Sequence, residues 1–212
     1  MSEEPHPPGE SLPPGQRRTA QRNALLAQVF AIMIGSVVAG EYMMLYANDV
    51  LGLSVASIAT IVSLAPFASA LRLPALPYIQ RIGLIRSLQI ARIGQGAIVV
   101  ALLILPAERV AFPVLATLVV IFVLFRELGL GTVWQTLMRN ITTNDDRGRF
   151  FARMRGSFTL VNLALSAGIA LFVGRELEEF QYKILLGVAL FGTLNSIFWS
   201  SRIPEPDRAD QD

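Results

Sequence analysis

Gly96-Ala97-Ile98-Val99-Val100-Ala101-Leu102-Leu103-Ile104-Leu105 carries no polar side chain. A helix on the surface of a soluble protein keeps a polar face at a 3.6-residue period, and this run has none. Val114–Phe125 repeats the pattern, with Thr117 as its one hydroxyl. Apolar on every side, such runs are read as crossings of a lipid bilayer. Working outward, apolar segments cover about 24–47, 54–79, 87–105, 110–138, 150–173 and 181–202. Each is near or above the about 20 residues a helix needs to cross a hydrocarbon layer of about 30 Å. The expectation is an all-α, polytopic membrane protein with six transmembrane helices in a domain over 22–203. A Pro-rich tail over 1–21 is expected to be disordered, and a second short tail covers 204–212.

Composition agrees. Of 212 residues, 53% are hydrophobic and 16% charged, where a soluble domain carries about 25% charged. Mean hydropathy is +0.51. The chain has no Cys, and its one His, His6, lies in the tail. That argues against thiolate chemistry, His-based catalysis and a metal site. No Ser or Thr in the spans has an obvious base, and there is no G-x-x-x-x-G-K-[ST] loop, so neither an intramembrane enzyme nor ATP-driven transport is expected. No cofactor is expected.

The sequence pI near 9.4 could suggest a nucleic-acid partner, but the basic residues are spread along the chain as topology signals. Arg17, Arg18, Arg22, Arg81, Arg86, Arg139, Arg147, Arg149, Arg153, Arg155, Arg202 and Arg208 fall on one side of the membrane. Arg109, Arg175 and Lys183 fall on the other. The positive-inside rule then places both termini in the cytoplasm, with the lipid bilayer rather than nucleic acid as partner. Arg17-Arg18 before an apolar run resembles a twin-arginine signal, but Thr19-Ala20-Gln21 follows where an apolar pair would be expected. An uncleaved first helix is the preferred reading. Tyr42, Tyr46, Phe180 and Tyr182 near the outer ends, with Trp134 and Trp199 near the inner ends, are expected at headgroup level.

Ionisable groups at membrane depth are functional candidates. They are Glu41, Arg72, Arg92, Arg126 and Glu127. Arg92 lies about 9 Å above the inner end of its helix and is read as a snorkelling, topological residue. Arg126 and Glu41 differ by about 7 Å in height and could bridge helices 1 and 4. Glu127 points about 100° away from Arg126 around an α-helix and needs another partner. Small residues mark packing faces: Gly35 and Gly40 on helix 1, Gly129 and Gly131 on helix 4, and Asn162, Ser166 and Ala170 on helix 5. Thr143 or Asn144 can cap helix 5, whose first turn holds Asp145 and Asp146.

The order of these features resembles the amino-terminal six-helix half of a major facilitator superfamily transporter, over about residues 22–206. Gln80-Arg81-Ile82-Gly83-Leu84-Ile85-Arg86 looks like that family's Asp-Arg-x-Gly-Arg-Arg loop, with Arg81 and Gly83 matching. Gln80 replaces its acid and Leu84-Ile85 its basic pair. Arg126-Glu127-Leu128-Gly129-Leu130-Gly131 is similar to its Arg-then-Gly-x-Gly helix 4. Asp146-Arg147-Gly148-Arg149-Phe150-Phe151, and Asn48 to Ser54, look like segments of an uncharacterised bacterial branch.

The resemblance implies a secondary transporter of the bacterial inner membrane, working by alternating access. Helices 1, 2, 4 and 5 would line the cavity, with helices 3 and 6 towards lipid. Glu41, Arg72, Arg126, Glu127 and Asn162 become cavity candidates. Arg81, Gly83, Arg86, Asp146, Arg147, Gly148 and Arg149 become cytoplasmic-gate candidates. The solute is unnamed, and Glu41 or Glu127 is the candidate to carry a coupled proton. At this length the expectation is one half of a transporter, completed by a second six-helix half or by a second copy. The competing expectation is a non-transporting membrane subunit or remnant with a structural role.

Overall fold

The computed structural model describes residues 12–70, 79, 81–174 and 176–204. Among them every regular element is helical. The first crossing is assembled in series from α1 (Pro14–Phe30), α2 (Ile32–Ala39), α3 (Glu41–Leu45) and a π-helical turn over Tyr46–Val50. The break after α2 falls at a position that only glycine fits. Gly40 is extended at φ −121° and ψ −151°, and a Cβ there would lie 2.8 Å from the Ser36 Cα.

α4 (Val55–Ala70) carries Pro66 inside it. α5 (Leu84–Ile104) starts directly after Gly83, whose φ of 101° suits a residue without a Cβ. α6 (Phe112–Arg126) runs through a π-helical stretch, Glu127–Val133, into α7 (Trp134–Ile141). α8 (Asn144–Val173) and α9 (Glu179–Ser200) complete the set. α8 starts on a capping box in which the Thr143 N–H donates to Asp146 Oδ1 at 2.7 Å. Its 30 residues reach about 45 Å, more than a bilayer core of about 30 Å.

Five helical stretches among the described residues are long and apolar enough to cross a membrane: Gly15–Val50, Leu84–Ile104, Phe112–Ile141, Asp145–Val173 and Glu179–Ser200. The architecture is thus that of a helical membrane protein. The sixth expected crossing, 54–79, is represented among the described residues by α4. Residues 71–78 and 80 lie outside the described residues, and with them Arg72, Pro74, Pro77 and Gln80. Most of both tails, 1–11 and 205–212, also lies outside.

Two apolar clusters hold the helices together. One gathers Ile34, Val37, Val38, Ile98, Val99, Phe122, Val123, Leu185 and Leu186 with their neighbours. The other, at the end holding the described termini, gathers Ala20, Ala24, Leu88, Val133, Trp134, Leu137 and Ile203. α9 is seated against α1, α2 and α5, and α4 against α6. α9 approaches helix 1 closely, because a Cβ on Gly192 would fall against the Phe30 carbonyl oxygen. Gly129 does the same between helices 4 and 3, where its Cβ would be 3.2 Å from that of Ala91.

The expected aromatic belt is corrected in part. Tyr46 and Tyr182 are buried and stacked, with centroids 4.0 Å apart. The Tyr182 hydroxyl donates to the Val37 carbonyl at 2.9 Å. These rings join helix 1 to α9 instead of facing headgroups, because a buried phenol needs an acceptor and finds one there. Tyr42 and Trp134 are buried as well, while Phe180 is exposed.

Candidate solute cavity

The two clusters leave a gap in the middle of each helix they share, and polar side chains fill it. Helix 1 contributes Gln28, α5 contributes Arg92 and Gln95, and α6 ends on Arg126. α9 contributes the buried Thr193 and Ser196. Polar groups at this depth are expensive where no water reaches them. Gln28, Arg92, Gln95 and Arg126 border a cavity of about 280 Å³, lined also by Gly35, Ser36, Gly40 and Glu41 of helix 1, by Phe122 and Leu130, and by Phe158 of α8; Thr193 and Ser196 lie outside its wall. The kinked helix 1 forms most of its wall.

Arg92 is only 4% exposed. Its guanidinium donates to Gln95 Oε1 at 2.9 Å, one turn along α5, and to Gln28 Oε1 at 3.5 Å across on helix 1. The expected snorkelling role is therefore corrected. Cross-helix packing against Gln28 holds the side chain in the bundle, facing the cavity. The resemblance also implied that helix 3 faces lipid, yet its Arg92 and Gln95 are wall residues. Gln95 and Gln28 are site residues that sequence reasoning did not name, and Arg92 is one that it named but read as topological. The available signal was the i,i+3 pair Arg92 and Gln95 on one face of an otherwise apolar helix.

Arg126 and Glu41 both border the cavity, but no ion pair joins them. Arg126 instead donates to Glu127 Oε1 at 3.3 Å. Glu127 is the next residue along the helix and opens the π-helical stretch, and the two long side chains bend together across the about 100° that separates their Cβ directions. Glu41 is exposed. Asn162 is half-buried on α8 and outside the cavity wall. Arg72 lies outside the described residues.

The candidate gate residues sit at the end of the bundle holding the described termini. Gly83 is buried and shapes the start of α5, while Arg81 and Arg86 are exposed. Asp146 closes the α8 capping box and accepts a hydrogen bond from Gln21 of α1 at 2.8 Å. The same Gln21 amide donates to the Ile141 carbonyl at 3.0 Å. Arg147 Nε donates to Thr142 Oγ1 at 3.4 Å, and Gly148 and Arg149 are exposed. Gln21 thus latches helix 1 to the loop before α8, a contact the sequence reading did not include. Among the expected packing residues, Gly129 makes a close helix contact, Gly40 marks the break and Gly35 faces the cavity. Gly131 and Ser166 are half-buried. Among the described residues no group of His, Cys, Asp and Glu could hold a metal ion.

Comparison of the chain with family models, with curated proteins and with solved structures returns no match.

Proposed function

We propose that the protein carries a small solute across a membrane by alternating access, as a six-helix, major-facilitator-like half that works with a second half or a second copy. The observation that carries this reading is the polar cavity at membrane depth, walled by a first helix that is broken at Gly40. A layer of Arg and Gln between two apolar clusters is costly to bury, and a solute site gives it a use beyond helix packing. An interrupted helix beside such a layer gives both a hinge and exposed backbone groups where a solute can dwell. The inner membrane of a bacterium, with both termini cytoplasmic, is the setting this reading assigns from the distribution of arginines.

The absence of native Cys makes a direct test possible. Ser36→Cys places one thiol in the cavity wall, and Val119→Cys places one in the buried apolar cluster. Alternating access requires a membrane-impermeant maleimide to reach residue 36 from either side of oriented vesicles and residue 119 from neither. Labelling of residue 36 from one side alone would defeat the transport reading and favour a structural membrane subunit.

A further inference from the structure

Arg92 is a buried cation whose hydrogen-bond partners are both uncharged. An arginine side chain remains protonated under physiological conditions, and burying a charge is costly unless an opposite charge meets it. Among the described residues no carboxylate lies within ion-pair distance of Arg92. Of the nearby acids, Glu127 is paired with Arg126, and Glu41 borders the same cavity but makes no ion pair with Arg92.

The hydrogen bonding that is present leaves capacity for a ligand. A guanidinium offers five N–H donors in a planar fork, and Gln95 and Gln28 take one each. Both amides turn their oxygen towards Arg92. Their NH2 groups have no acceptor among the described residues and add further donors. Such a donor-rich fork matches the paired oxygens of a carboxylate or a phosphate. The cavity volume of about 280 Å³ equals about nine water molecules at about 30 Å³ each, which suits a small solute.

We propose that the cavity binds a small water-soluble oxyanion, a carboxylate or a phosphate, with Arg92 meeting its charge and Gln28 and Gln95 orienting it. This rests on the cavity being a solute site and adds the chemical class of the solute. Arg92 here is a binding residue, and the amides position it.

The test uses the full chain in a neutral detergent, titrated calorimetrically with sodium acetate and with inorganic phosphate. Sodium chloride at matched ionic strength and tetramethylammonium chloride serve as controls. Saturable binding of acetate or phosphate, absent for the controls, is expected; which of the two binds tells carboxylate from phosphate. Arg92→Gln should weaken it at least tenfold and Arg92→Lys by less, while Arg153→Gln on the exposed start of α8 should leave it unchanged. No binding beyond the chloride control, or equal binding by Arg92→Gln, overturns the proposal.

Arg92→Gln could fail to fold, so a second measurement uses the unaltered protein. The oxyanion should slow phenylglyoxal modification of the Arg92 peptide, read by mass spectrometry, at least threefold. An unchanged rate overturns the proposal. The two readings separate cleanly. Arg92-dependent binding with one-sided labelling at residue 36 keeps the oxyanion site and removes transport. Two-sided labelling without oxyanion binding does the reverse.

Discussion

Gly192 and Tyr182 show how single atoms fix the distance between helix 1 and α9. A Cβ at position 192 would collide with the Phe30 carbonyl oxygen, which is backbone and cannot swing aside. Gly192→Ala should cost about 1–3 kcal/mol, the usual penalty of overpacking a tight contact. A thermal-unfolding comparison in detergent reads this directly, and an unchanged Tm would mean the helices separate at no cost. Tyr182→Phe removes the hydrogen bond to the Val37 carbonyl but keeps the ring stacked on Tyr46. Its expected cost is smaller, about 0.5–1.5 kcal/mol, and Tyr182→Ala should cost about 3–5 kcal/mol. The same scale decides the site. The sequence placed Arg92 at a height along its helix. It could not say that Gln28, sixty-four positions away, would bring an amide oxygen against it.

At the scale of elements, the start of α8 and the break in helix 1 are the informative pieces. Thr143, Asp145 and Asp146 carry a start signal that is local in sequence, and the capping box forms there. Asp146 also receives Gln21, so one side chain serves the cap and the latch to α1. Asp146→Ala should therefore destabilise more than Thr143→Ala, which loses only the cap at about 0.5–2 kcal/mol. Hydrogen exchange tells the two apart. Asp146→Ala should speed exchange near Gln21 as well as in the first turn of α8, whereas Thr143→Ala should affect only α8. The kink at Gly40 was harder to read. Gly35, Ser36, Ala39 and Gly40 look like a packing stripe by their spacing, but close packing and a helix break use the same small residues. Backbone geometry separates the two. The Arg126–Glu127 pair was hidden too, since an α-helical wheel separates the two side chains.

For the whole molecule, helices differ sharply in how far the bundle covers them. Half of the best apolar window of Gly15–Val50 is buried, against 6% for Asp145–Val173. α8 leaves Leu160, Leu163 and Leu171 exposed. Lipid can cover such a face, and so can a second half-bundle. If the protein works as a half, as proposed, Leu163→Cys should form an oxidised dimer in a bilayer, or cross-link to a separate second half. Ile93→Cys, exposed on α5, should stay monomeric. Equal cross-linking at both positions would mean random collision in the membrane and would remove the support for a specific second half.

The sequence by itself determined that this chain is helical and built for a bilayer. Apolar runs without a polar face must hide their whole circumference from water, and several long ones in a chain with few charged residues favour lipid over a soluble core. It also determined, through Thr143 to Asp146, where α8 begins, since a cap is satisfied by atoms three residues away. Only the tertiary structure decided what the buried polar groups do. Arg92 became a wall residue, Arg126 turned to Glu127, and Tyr46 and Tyr182 turned inward to each other. Periodicity assigns a side chain to a face of its own helix. The partner it finds depends on which helix arrives opposite, and that is set by packing across the bundle, at glycines such as Gly129 and Gly192.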